Sequence, residues 1–145
     1  MAASDFSSIK RAVVRRLSGR LEIEAAYIFG SVAAGRARKN SDIDIAVLVD
    51  RRVRPGRFLK YRLQLIADLG SALRRSDVDV VILNEAPPLL AHRVLSQGKL
   101  VFERSASARV RFQVRTASLY LDLVPLFETH IRYLKRNVRE GRIVG

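Results

Sequence analysis

Three aspartates and one Gly-Ser pair are the residues of this chain best suited to chemistry. Asp42 and Asp44 flank a single isoleucine at the start of the run Asp42-Ile43-Asp44-Ile45-Ala46-Val47-Leu48-Val49. Along a β-strand successive side chains alternate between faces, so the two carboxylates point the same way. Ile43, Ile45, Val47 and Val49 then take the opposite, buried face. A third carboxylate comes from Asp77-Val78-Asp79-Val80-Val81-Ile82-Leu83. With Val78, Val80 and Ile82 turned to the core, Asp79 lies on the other face with Val81 and Leu83. Asp77 has the same parity but stands at the strand's entrance. Asp79, flanked by β-branched residues, is preferred.

If these strands are neighbours, three carboxylates meet at one edge. Two of them about 5 Å apart repel by roughly 3 kcal/mol at an effective dielectric near 20. Such a cluster takes up protons or binds a divalent cation. Oxygen-only ligands select a hard ion, Mg²⁺ or Mn²⁺, which keeps waters and bridges to phosphate. Gly30-Ser31, upstream of the aspartates, meets the complementary need. Glycine lets the backbone approach a phosphate closely, and the start of a helix offers unpaired amides to an anion. Arg36, Arg38 and Lys39 are close enough in sequence to neutralise a triphosphate. Taken singly, Gly-Ser reads as a turn, and Asp-x-Asp after Asn40-Ser41 as a turn or helix cap. Their joint occurrence with a third strand-borne Asp points to a site, because a buried strand has no structural use for two carboxylates on one face.

The elements that must position these groups alternate between helical and strand periodicity. Asp5 or Ser7 can cap a first helix through Ile9, Val13, Val14 and Leu17. Ala25–Phe29 reads as a strand, and Gly30-Ser31 opens a brief helical segment ending near Gly35. Asp42–Val49 is a strand and 51–57 a basic loop. A helix is expected over Phe58–Leu73 with the stripe Leu59, Leu63, Ile66, Ala67, Leu69 and Leu73. Val78–Leu83 is a third strand. Pro87-Pro88 opens a helix through Leu90, Val94 and Leu95 that Gly98 ends, and Lys99–Glu103 is a marginal fourth strand. A long helix follows over Ala106–Asn137, which Pro125 should kink or divide. The expected class is α/β (α+β), a small mixed β-sheet flanked by helices.

The chain has 145 residues, no cysteine and a net charge of +13. Disulfides and thiolate metal sites are excluded. The N-terminus has no apolar run of the roughly 7–15 residues a signal peptide needs, and no stretch is long enough to span a bilayer, so a soluble cytoplasmic protein is expected. The charge favours an anionic partner: nucleotide, RNA or an acidic protein. An arginine-rich proteome accounts for the same count, so charge alone decides nothing. His92 and His130 read as surface or core residues rather than catalysts. The C-terminal stripe Ile131, Leu134 and Val138 suits either a partner or the chain's own core.

The stretch GSVAAGRARKNSDIDIAVLV resembles the Gly-Ser-x10-Asp-x-Asp signature of the DNA polymerase β-like nucleotidyltransferases. With the segment VDVVILNEAPPLLAHRVLSQGKLVFE, the chain resembles the MntA-type minimal nucleotidyltransferase (MNT) antitoxins of HEPN/MNT toxin–antitoxin systems over about residues 5–125. The resemblance implies a nucleotidyltransferase domain over 1–104 and a C-terminal helical segment over 105–145 packed on it or on a partner. It implies that Gly30, Ser31 and Ser41 bind the nucleotide, and that Asp42, Asp44 and Asp79 are the catalytic, metal-binding carboxylates. It further implies AMP transfer from ATP, with Mg²⁺ or Mn²⁺, onto a tyrosine of a HEPN-domain ribonuclease toxin, in a hetero-oligomeric complex that silences the toxin. The alternatives are a non-catalytic neutralising or RNA-binding partner, or a nucleotidyltransferase acting on RNA or a small molecule.

Overall fold

The computed structural model describes residues 2–35 and 42–141. It has a four-stranded sheet of order β3-β2-β1-β4 between two helical layers. The elements run α1 (Ala2–Leu17), β1 (Ile23–Phe29), α2 (Gly30–Ala33), β2 (Ile43–Val49), α3 (Phe58–Leu73), β3 (Val78–Ile82), α4 (Pro88–Gln97), β4 (Lys99–Glu103) and α5 (Ala106–Arg139). β1 pairs antiparallel with both β2 and β4, while β2 and β3 run parallel. Parallel neighbours need a long crossover, and α3 supplies it. The sheet is therefore mixed, as the alternating periodicities predict.

Both faces of the sheet are covered. Ile43, Ile45, Val47, Val78, Val80 and Ile82 join Ile9, Val13 and Leu17 of α1 and Leu65 and Leu69 of α3 in one core. Ala25, Tyr27, Ala46 and Leu48 face Ala91 and Val94 of α4 and Ala108 and Phe112 of α5 in a second. β2 is thus buried on both sides beyond its second residue. A strand so placed reads as a nearly continuous apolar run, which is why Ala46 and Leu48 break the alternation that Asp42 and Asp44 begin.

Several local expectations change. α1 begins at Ala2, so Asp5 and Ser7 lie inside the helix rather than capping it. In α3 the buried positions are Phe58, Leu65 and Leu69, whereas Leu59 and Leu63 are exposed. Ile66 and Leu73 pack partly buried against the same core as Phe58, Leu65 and Leu69. α3 ends with Arg74 in the left-handed region at φ 56°, and the Arg75 amide bonds back to the Gly70 carbonyl at 3.0 Å. The basic loop contains a 3-10 turn at Pro55–Arg57. Pro125 does not divide α5, which continues through it for 34 residues. The first third of α5 packs through Ala108, Phe112 and Thr116, and Asn137 near its end is buried as well, whereas Ile131, Leu134 and Val138 are exposed and not part of the chain's own core. His92 stacks flat on Tyr120 at 3.6 Å and ties α4 to α5. No helix among the described residues is long and apolar enough to cross a membrane.

Gly98 sets how closely α4 approaches the strand that carries the Gly-Ser turn. A Cβ there would lie 2.5 Å from the Val94 carbonyl oxygen and 3.3 Å from Cβ of Phe29. Neither atom is free to swing aside. Gly98→Ala should lower the unfolding free energy by about 1–3 kcal/mol, read as a shifted urea midpoint. An unchanged midpoint would mean that α4 can slide on β1.

Candidate active site

The site forms where β1, β2 and β3 present one end of the sheet together. Asp44, the second residue of β2, pairs in register with Phe29 on its antiparallel side and with Asp79 on its parallel side. The two carboxylates therefore leave the same face of adjacent strands at the same level. Strand pairing alone enforces this, since a one-residue slip of β3 would send Asp79 to the opposite face. Asp42 stands exposed immediately before β2. Asp77, the rival candidate, is bound by the Arg75 guanidinium, with Nε donating to Oδ1 at 2.7 Å, and this holds its carboxyl below the usual range.

The charge state of Asp44 records the crowding. Burial, then the neighbouring Asp79 and then Asp42, push its pKa above the ordinary value of 3.8. Asp79 has a cationic partner that the sequence did not suggest. Arg62 of α3 reaches around β3, the edge strand. Its Nε donates to the Val80 carbonyl at 2.6 Å and its Nη2 to Asp79 Oδ1 at 3.1 Å. One guanidinium thus satisfies an edge-strand carbonyl and restrains the third carboxylate.

Gly30 completes the arrangement. The chain passes from β1 into α2 through Gly30 at φ 74°, in the left-handed region that glycine adopts without penalty. A Cβ here would overlap Oδ2 of Asp44. The glycine is required twice over, by its backbone angle and by the carboxylate lying against it. No side chain caps α2.

These groups line a cleft of about 480 Å³. Gly30, Ser31, Asp44 and Asp79 form its floor, and Leu90, Arg93 and Gln97 of α4 form a wall. Arg93 and Gln97 were not singled out from sequence. Their signal was the helical spacing 90-93-97, which puts them on one face with Leu90. Asp42 does not line the cleft, and Ser41, Arg36, Arg38 and Lys39 fall outside the described residues. Among the described residues, no three acidic or histidine groups gather tightly enough to form a finished metal cage. The donor chemistry nonetheless fits a hard divalent ion. Asp44 has two like charges beside it, its ionised form is disfavoured, and its neighbours offer oxygen ligands only.

Two outcomes follow from this geometry. Gly30→Ala should displace the Asp44 carboxylate, and a misplacement near 1 Å costs on the order of 100-fold in turnover; a steady-state rate within error of wild type would remove the contact from consideration. Asp44→Asn should stabilise the metal-free protein. Because the folded pKa is raised, the ionised carboxylate carries a native-state penalty that grows as pH rises through that pKa and vanishes in acid. The melting-temperature gain should therefore be largest at neutral pH and close on acidification towards 3.8. A gain independent of pH would contradict the electrostatic origin.

Known proteins resemble this chain in sequence and fold. Residues 12–107 match the family model described as Polymerase beta, Nucleotidyltransferase. The protein adenylyltransferase MntA of Shewanella oneidensis is 38% identical over 102 residues, spanning 70% of this chain and 69% of that protein. The protein adenylyltransferase MntA of Aphanizomenon flos-aquae is 34% identical over 121 residues, spanning 72% of this chain and 76% of that protein. Among solved structures, a toxin–antitoxin with AMP-PNP superposes with a TM-score of 0.71 at 30% identity, covering 87% of this chain and 98% of the other. A tri-AMPylated Shewanella oneidensis HEPN toxin in complex with MNT antitoxin gives a TM-score of 0.62 at 28% identity, covering 93% and 99%. The chain belongs to the polymerase β-like nucleotidyltransferase family.

Proposed function

We propose that this nucleotidyltransferase is a protein adenylyltransferase antitoxin, moving AMP from ATP to a tyrosine of a cognate HEPN ribonuclease toxin in the cytoplasm and so silencing it. The observation that carries the reading is the register pairing of Asp44 with Asp79 beneath Gly30, in a cleft that opens to solvent. The names of the relatives, protein adenylyltransferase MntA and a tri-AMPylated HEPN toxin with its MNT antitoxin, support the choice of nucleotide and acceptor.

In this reading Gly30 and Ser31, with Ser41, hold the triphosphate. Asp42, Asp44 and Asp79 hold Mg²⁺ or Mn²⁺, which supplies charge neutralisation at the phosphates. The acceptor hydroxyl attacks the α-phosphorus, the bond to the bridging oxygen of pyrophosphate breaks, and the phenolic proton passes to a carboxylate. Asp79 suits that proton transfer, because Arg62 restrains only one of its oxygens and it shares a level with Asp44. Residues 1–104 carry the chemistry, and the exposed stripe Ile131, Leu134 and Val138 of the C-terminal helix is available to the partner.

Incubation with ATP, Mg²⁺ and the cognate HEPN-domain toxin should add mass to that toxin in units of AMP. Asp42→Asn and Asp44→Asn should each abolish the addition while leaving the circular dichroism spectrum unchanged. Transfer that persists in both variants would sink the proposed carboxylates. Neutralisation of the ribonuclease by both variants, without any mass change, would instead identify a steric antitoxin.

A further inference from the structure

Among the described residues outside the carboxylates and the Gly-Ser turn, one charged group lines the reaction cleft with nothing to hold. Arg93 of α4 lines the same cleft as Gly30, Ser31, Asp44 and Asp79, and among the described lining residues it is the one cation. It is exposed, and no ion pair among the described residues engages it. Arg62, the other guanidinium nearby, is already committed to Asp79 and the Val80 carbonyl.

We infer that Arg93 is a binding residue for the polyphosphate tail of the nucleoside triphosphate, the part that departs as pyrophosphate. The inference rests on the nucleotidyltransferase reading of the cleft. The α-phosphorus must lie at the carboxylates, because that is where the bond breaks. The β- and γ-phosphates then extend from the carboxylates along the cleft, carrying more negative charge than the floor alone offsets. The wall built by α4 is where such an anion finds an opposite charge. A guanidinium presents a planar fork of donors matched to two phosphate oxygens, which an ammonium cannot reproduce. The anchoring is also good. Ala91 and Val94, on either side of Arg93, are buried, and Gly98 seats the end of α4 against Phe29, so the arginine projects from a fixed helix. Gln97, one turn on, adds an uncharged donor to the same wall.

The test is equilibrium binding of AMP-PNP and of AMP to the full chain in Mg²⁺, with no acceptor present. Arg93→Ala should weaken AMP-PNP roughly 10- to 100-fold and leave AMP affinity and the melting temperature near wild type. Arg93→Lys should recover only part of the loss. A wild-type affinity for AMP-PNP in Arg93→Ala overturns the assignment, and so does an equal loss for AMP. Arg93→Ala that binds AMP-PNP normally but loses transfer to the toxin would put Arg93 on the acceptor side and also overturn it. Wild-type protein that binds AMP-PNP through Arg93 yet modifies no toxin supports the assignment and defeats the proposed acceptor alone.

Discussion

Two like charges held side by side are the constraint on which this structure turns. Asp44 and Asp79 share a level on adjacent parallel strands, and burial together with the Asp79 charge disfavours the ionised form of Asp44. A flexible loop would relieve such repulsion by moving. Strands with apolar residues locked on both faces cannot, because shifting one residue would expose Ile43, Ile45 and Val47 and bury the carboxylate. The core therefore does more than stabilise. It supplies the rigidity that keeps an electrostatically unfavourable pair in place until a cation or a proton compensates it.

The topology follows from the same requirement. An antiparallel β2 can pair with β1 without a crossover, but a parallel β3 needs the one that α3 supplies. α3 repays that length through Arg62, which reaches past the edge of β3 to the Val80 carbonyl and to Asp79. An edge strand leaves backbone groups unpaired, and here one of them is satisfied by the residue that also restrains the third carboxylate. Gly30 is the corresponding device on the other side. Its positive φ turns the chain from β1 into α2, and its missing side chain makes room for Asp44.

What was legible in the sequence was whatever depends on period two within a strand. Parity alone put Asp79 opposite Val78 and Val80 on the face of Asp44, and the register of β2 with β3 pairs those two, while Asp42 stands before β2 and outside that register. The bounds of α3 and β4 were equally readable, since a charged or glycine-containing boundary marks each. Helical faces were harder. α3 carries apolar residues on more than one stripe, and only tertiary packing decides that Leu65 and Leu69 go in while Leu59 and Leu63 stay out. Arg62 was invisible for a related reason, and the spacing that groups Arg93 with Leu90 and Gln97 did not say what that face meets. In a chain with 27 Lys and Arg, no local pattern separates an arginine aimed at a carboxylate from one dissolved in water. The C-terminal stripe was ambiguous by its nature, and the exposure of Ile131, Leu134 and Val138 removes the chain's own core from its two readings.

The contrast between the whole chain and its site resolves a tension in the composition. A net charge of +13 surrounds a reaction centre whose described ionisable floor is acidic. These act over different distances. The summed surface charge works at long range, drawing in polyanions, and is screened beyond about 8 Å at physiological salt. The carboxylates act only on contact, where they would repel a naked triphosphate. A polyanion attracted by the surface can therefore settle in the cleft only when something neutralises it locally. A divalent ion held by the carboxylates would do so on the floor, and a guanidinium on the α4 wall would do so for the charge left over. The basic surface thus favours arrival, and the acidic floor makes residence depend on local neutralisation of the phosphates.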